Sequence, residues 1–313
     1  MTIISRNTGL SMKLKGMATD IVATPKNKLK GIVIEDTSEK YGAVSCCELN
    51  LVCADANSND LDKNDSTALF FELSTKNDSF SIDLWKDGVF ATHLTNTDYG
   101  VLYLPNTINY YPNQNALCGF VIDWKKVLLA FGIGQYKCVI NIEGENYNSL
   151  KYDLRQWSDS IVEGYICVES YMNGYLLRPQ MNFKGLNIRD CARFKGFFGL
   201  VQPENVVTKD LFTSNNGNSR EVVTRKTIKV DVFQLFLKPI YECYADRLIN
   251  YHLFGNEIYI TDNNSNNYSY DYVRVKVVSE EAPKLTFLQA NRKVIIEVRL
   301  KEAIQDNQKT NYF

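Results

Sequence analysis

The sequence predicts a mainly β protein: a β-sandwich-like first part followed by a smaller α+β part. Three observations carry that expectation. Apolar and polar residues alternate in runs spaced roughly every 10 to 15 residues, the rhythm of a sandwich or related barrel; Phe80, Ile82 and Leu84 against Ser79, Ser81 and Asp83 form the clearest run. Turn dipeptides, Asp87-Gly88 and Asn173-Gly174, interrupt the runs where a tight hairpin needs φ > 0. Helical spacing recurs in only two stretches, 123–131 and 239–254. Aromatic residues (Tyr 19, Phe 16, Trp 3) favour strands, and also surfaces where one end of the ring is dry and the other wet.

A chain of 313 residues has a prior of about two domains. Residues 1–24 read as an N-terminal arm, 25–199 as the β-sandwich-like domain, and 200–313 as the α+β domain with a long hairpin arm around 205–237. The chain turns on residues 183–199, where Gly185, Gly196 and Gly199 accompany Phe194, Phe197 and Phe198. Glycine there permits positive φ or close backbone approach, while each phenylalanine has a large surface to bury.

Strands are expected at 31–35, 43–54, 69–74 and 79–85, the last two joined as a hairpin through 75–78. Asp87-Gly88 then returns the chain along 89–92, and 100–104 ends at Pro105. Asp123 is the expected N-cap of a helix that presents Trp124, Val127, Leu128 and Phe131 to the core, with Gly132 at its C-cap. Strands at 135–142, 152–155 and 161–172 follow, and Asn173-Gly174 should turn the last onto 175–178. Beyond Gly199, 205–212 and 222–237 flank a polar tip at 213–220. Pro239 should open a helix whose dry face carries Tyr241, Tyr244, Ala245, Leu248 and His252. Strands at 257–261, 272–278, 284–288 and 293–301 complete the fold.

Motifs with chemistry are sparse. The segment 55–65 resembles a calcium loop at Asp55, Asn57 and Asn59, but Asp60 replaces the glycine and Ser66 the terminal glutamate, so a solvated loop is expected. Gly132-x-Gly134 follows a helix and lacks the third glycine of a dinucleotide fingerprint, so it reads as a turn. His93 and His252 are the chain's two histidines; His252 lies on the dry helix face as a packed residue, and His93 has no marked partner. Glu143, Glu145, Glu163 and Glu169 offer carboxylates without selecting a pair. No catalytic, cofactor or metal residue is assigned.

Net charge is −1, made of −2 up to Gly199 and +1 after it, so neither part carries the basic stripe of a nucleic-acid reader. No apolar run reaches the ~18 residues of a membrane span, and the first residues lack the charged and apolar regions of a secretory signal. The eight cysteines (Cys46, Cys47, Cys53, Cys118, Cys138, Cys167, Cys191, Cys243) fall mostly in apolar runs without a Cys-x-x-Cys pair, as expected of reduced, buried thiols from a reducing cytosol.

Three phrases carry a family resemblance: Gly119-Phe-Val-Ile-Asp-Trp-Lys-Lys-Val running to Phe131-Gly-Ile-Gly-Gln-Tyr136; Arg193-Phe-Lys-Gly-Phe-Phe-Gly199 leading to Gln202-Pro203; and 256–270, Asn-Glu-Ile-Tyr-Ile-Thr-Asp-Asn-Asn-Ser-Asn-Asn-Tyr-Ser-Tyr, with the terminal Lys309-Thr-Asn-Tyr-Phe313. Across roughly 115–313 the chain resembles structural tail or neck proteins of tailed bacteriophages of Bacteroidetes, including the crAss-like group. The resemblance implies a non-catalytic virion component made in the host cytoplasm. It would be a ring or tail-hub subunit that forms a homo-oligomer and docks other tail, neck or portal-proximal proteins, without cofactor, nucleic-acid reading or membrane. Residues 1–24, 213–220 and 263–272 are the candidate contact segments, or ordinary surface loops. Two rival readings stand beside it: a carbohydrate-binding or host-adhesion module, and a tail-associated glycan- or cell-wall-degrading enzyme.

Overall fold

The computed structural model describes residues 21–22, 49–73, 79–95, 98–103, 109–110, 116–142, 145–176, 181–213, 220–241, 245, 248–249, 252–264, 273–277, 283–288 and 293–303. The expected strand at 31–35, most of the arm at 1–24, and the tips at 214–219 and 265–272 lie outside them. Along the chain the strands are β1 (Ile21–Val22), β2 (Leu49–Ala54), β3 (Ser66–Leu73), β4 (Phe80–Lys86), β5 (Val89–His93), β6 (Gly100–Tyr103), β7 (Asn109–Tyr110) and β8 (Ala116–Asp123). Helix α1 (Trp124–Phe131), strands β9 (Gly134–Ile142) and β10 (Glu145–Gln156), and the short turn of helix α2 (Asp159–Val162) come next. The remaining strands are β11 (Tyr165–Met172), β12 (Tyr175–Leu176), β13 (Met181–Asn182), β14 (Ile188–Thr213), β15 (Arg220–Tyr241), β16 (Glu257–Asp262), β17 (Val273–Val277), β18 (Lys284–Leu288) and β19 (Lys293–Glu302). The protein is mainly β.

The first part stacks two layers. One is ordered β1-β10-β9-β4-β5, with β2 running parallel to β10; the other is β3-β8-β6. Between them Phe70, Phe120, Tyr136, Tyr152 and Trp124 are buried. Asp123 caps α1, its Oδ1 accepting from the Lys125 and Lys126 amides, and Gly132 ends it at φ 78°. The Trp124 indole N–H donates to Thr67 Oγ1 at 2.8 Å, which ties the helix to β3.

The second part is a barrel. Pairing runs β15-β14-β11-β16-β17-β19, and β19 returns to pair with β15, so six antiparallel strands close on themselves. Closure removes the open edges of a sheet. Its interior is filled by Ile166, Val168, Phe194, Phe198, Phe233, Leu235, Ile260, Ile296 and Val298. Ala245, Leu248 and Ile249 are helical, and Ala245, Leu248 and His252 are buried as their spacing foretold. β18 pairs only with β19. The chain does not pause at Gly199: β14 runs through it, and the barrel core draws on residues from both sides.

Several local expectations are corrected. Strands β3 and β4 do not pair with each other; β3 pairs with β8, and β4 with β9 and β5, so the chain crosses layers between them. Ala68, Leu69, Phe70 and Phe71 are all buried, which makes β3 a strand covered on both faces. Asn173-Gly174 does not fold β11 onto β12; β12 pairs with β13. The Asn256 carboxamide oxygen takes both the Asn173 and Gly174 amides and redirects the chain. Residues 159–162 form α2, not the start of a strand. Pro239 opens no helix: β15 continues to Tyr241 across a register shift between Leu237 and Ile240. A residue without N–H is tolerated at such a bulge. Gly196 and Gly199 are absent from the positive-φ glycines. Close approach explains Gly196, where a Cβ would collide with the Phe236 carbonyl.

Candidate functional site

The polar chemistry of the chain is concentrated where β11 and β14 of the barrel meet β3 and the 55–65 loop. Arg189 Nε donates to Glu169 Oε2 at 2.7 Å, and its two other nitrogens donate to the carbonyls of Asn64 and Leu61 at 2.6 Å. Arg193 pairs with Asp65, whose Oδ2 also accepts from the Cys53 amide at 2.7 Å. Asp190 Oδ1 accepts from the Ala68 amide at 3.0 Å. Paired carboxylates and guanidinium groups therefore clamp the two parts together.

This seam also holds a constellation that no sequence spacing reveals. Ser170 Oγ lies 2.8 Å from His252 Nδ1, and His252 Nε2 lies 3.6 Å from Asp190 Oδ2. The order resembles a nucleophile, a base and its orienting carboxylate. Its surroundings give it a different role. All three side chains are buried, Ser170 Oγ also donates to the His252 carbonyl at 3.0 Å, and Asp190 already holds Ala68. A cavity of about 10 Å³ beside Arg193 and Cys191 is lined by none of the three and has room for no more than a water-sized guest. The trio anchors the 3-10 turn at His252–Phe254 to β11.

The segment compared with a calcium loop is closed by organic cations and amides. Asp55 Oδ1 accepts from the Asn57 amide and from Gln156 Nε2, at 2.9 and 3.0 Å. Asn59 Oδ1 and the Ser58 carbonyl accept from the Lys125 ammonium, at 2.7 and 2.5 Å. Asn64 donates to the carbonyls of Ser58 and Asp60. Among the described residues no group of three His, Cys, Asp or Glu is placed to hold an ion. Of the carboxylates considered for acid–base work, Glu169 is committed to Arg189 and Glu163 is exposed. His93, for which the sequence marked no partner, has Asp83 Oδ1 at 2.7 Å from its Nδ1 and packs edge-on against Phe90.

Cys53, Cys118, Cys138, Cys167 and Cys191 are buried thiols that form no disulfide. Burial pushes the Cys53 and Cys118 thiols up to about 12. A hydrogen bond to Cys191, together with burial, holds Cys167 well above its ordinary value. Cys53, Cys118 and Cys167 are packing groups without nucleophilic character at neutral pH.

The strongest surface feature is the β14–β15 ribbon. Beyond the last β15–β19 pair, Val232 with Lys301, the two strands pair, among the described residues, only with each other, from Pro203↔Asp231 to Thr213↔Arg220. At ~3.4 Å per residue the ribbon from Pro203 to Thr213 is roughly 35–40 Å long. At its root Phe197 and Phe236 are register partners on the outer face, 56% and 37% exposed, and Leu200 and Val201 are exposed beside them. The Phe197 ring lies over Gly199. A second apolar strip, Leu285, Phe287 and Leu288, lies on β18, whose five residues are all exposed. The hairpin arm was legible from its alternation; that its root carries facing phenylalanines was not, because only strand register reveals it. No helix among the described residues is long and apolar enough to cross a membrane. Compared with known proteins, the chain matches no family model and no curated protein.

Proposed function

We propose that this chain is a non-catalytic building block of a tailed-phage virion, a ring or tail-hub subunit that self-associates and docks other tail or neck proteins. The observation that carries the reading is the ribbon. An isolated two-stranded hairpin is marginal in water, and each of its strands offers a row of unpaired N–H and C=O groups. A chain that extends such a ribbon past a closed barrel gains stability when a neighbour covers it. The facing Phe197 and Phe236 at its root would add apolar burial, at ~25 cal/mol per Å² removed from water.

The family resemblance across 115–313 supplies the biological setting. The geometry supports the mode: subunits in a ring make head-to-tail contacts, which close when the rotation per subunit divides a full turn. A protruding ribbon on one side and the apolar edge strand β18 on another provide two different surfaces, as such contacts require. The buried state of Ser170, His252 and Asp190 favours a structural role over a hydrolytic one. Quantitative mass spectrometry of gradient-purified virions tests the proposal. A fixed multi-copy complement is expected; absence from particles, or one copy or fewer, overturns the ring reading.

A further inference from the structure

We propose that the outer face of the β4-β9-β10 sheet binds an acidic saccharide, in the cleft lined by Trp85, Asp87, Gln135, Lys137 and Lys151. The cleft measures about 400 Å³, within the size range of small-ligand sites. Strand register builds it. Phe90, Trp85, Lys137 and Lys151 are successive partners across β5, β4, β9 and β10, forming one row on the face turned away from the core.

That row has a built-in tension. Lys137 and Lys151 are direct cross-strand partners on one face, an arrangement that like charges disfavour. Among the described residues neither has a carboxylate within ion-pair distance. The three nearby acids are engaged: Asp153 holds Arg155 at 3.0 Å, Asp83 Oδ1 lies 2.7 Å from His93 Nδ1, and Asp87 Oδ1 accepts the Gln135 amide at 3.0 Å. An anion between the lysines would relieve the repulsion. Lys137 is also held 5.4 Å from the centre of the Trp85 ring, a cation–π contact that fixes ammonium and indole together. Phe90 buttresses the indole edge-on, with ring centres 6.0 Å apart. Gly88, at φ 84° in the β4–β5 turn, lines the cleft beside open space.

The ligand class follows from what each group can use. A free inorganic anion engages the lysines and ignores Trp85; a neutral sugar engages the indole and leaves the lysines opposed. A saccharide ring bearing a carboxylate or sulfate uses both, and its hydroxyls can donate to Asp87 and Gln135. A phosphodiester strand wants a line of cations along its path, whereas the described residues of this face place only two lysines in a single row. The site is independent of the assembly reading.

Isothermal titration of the full chain with trigalacturonate tests it, with maltotriose, inorganic phosphate and an oligothymidylate as comparators. Saturable binding of trigalacturonate is expected, weakening with added salt. Lys151→Gln, at an exposed position, should lower affinity about tenfold, the worth of one charge-assisted contact. Trp85→Ala should lower it further, and Lys276→Gln on the barrel should leave it unchanged. No saturable binding, equal affinity for maltotriose, an unchanged affinity in Lys151→Gln, phosphate binding that ignores Trp85→Ala, or tighter binding of the oligothymidylate would each overturn the proposal.

Discussion

Arg193 and Asp65, 128 positions apart, meet in a two-pronged ion pair: Nε donates to Oδ2 at 2.7 Å and Nη2 to Oδ1 at 2.8 Å, with both side chains buried. Burial works against the guanidinium's charge, but the charge and hydrogen bonds of Asp65, together with the neighbouring Cys167 and Cys53 sulfurs, hold the pKa well above its ordinary value. The pair fastens the 55–65 loop of the first part to β14 of the barrel.

Removing one partner of such a pair leaves an uncompensated buried charge. Arg193→Ala is therefore expected to cost about 3–5 kcal/mol, read as a fall in denaturant midpoint. Replacing both partners with apolar residues, Arg193→Met with Asp65→Leu, should cost much less. A single variant as stable as the parent would mean the clamp contributes nothing.

Two glycines separate close approach from surface covering. At Gly196 a Cβ would collide with the Phe236 carbonyl and crowd Leu237; at Gly199 it would meet the far end of the exposed Phe197 ring, 2.5 Å away. Gly196→Val should destabilise by about 2 kcal/mol or more through overpacking, while in Gly199→Val the ring can swing aside. Thermal unfolding of both variants checks the difference, and equal losses would contradict it.

Local signals in the sequence were read well where one residue's own geometry decides. Asp87 and Gly88 take φ of 48° and 84° in the β4–β5 turn, Asp123 caps α1, and the 284–288 strand appears with its expected bounds. Readings failed where a distant group decides. Asn173-Gly174 has the composition of a hairpin turn, but Asn256 captures its amides. Barrel closure rests on β15 pairing with β19, and the seam on Arg189 and Arg193 reaching loop carbonyls and carboxylates more than a hundred residues away. Nothing in the local text around Ser170, Asp190 or His252 announces that they meet.

Thiol chemistry gives a prediction with a sign. The Cys53 and Cys118 thiols stay protonated to about 12 when folded, against an ordinary value of 9.0. Burial also raises the Tyr136 phenol from 10.0 to about 12. Above pH 9 the unfolded chain releases protons that the folded chain keeps, so stability is lost as pH rises from 9 toward 12. Denaturant midpoints should fall between pH 8 and pH 10, and alkylation at pH 8 should spare Cys53 and Cys118 in the folded protein. A midpoint that rises, or rapid labelling of either thiol, would contradict the burial.

Cutting the ribbon separates folding from assembly. The barrel closes below Gln202 and Val232, and Val230 is buried just beyond it, so replacing residues 205–229 with Asn-Gly should leave the thermal midpoint within about 2–4 °C of the parent, the effect of about 1 kcal/mol in a chain of this size. Incorporation into particles should be lost. A shortened chain that unfolds would show the ribbon to be part of the barrel's own core.

The most direct measurement is a cryo-EM reconstruction of the intact particle at side-chain resolution. The expected result is a closed ring of this chain in which each β14–β15 ribbon lies against the next subunit and buries Phe197 and Phe236. A particle without this chain, or one in which the ribbons project into solvent, would contradict the central claim.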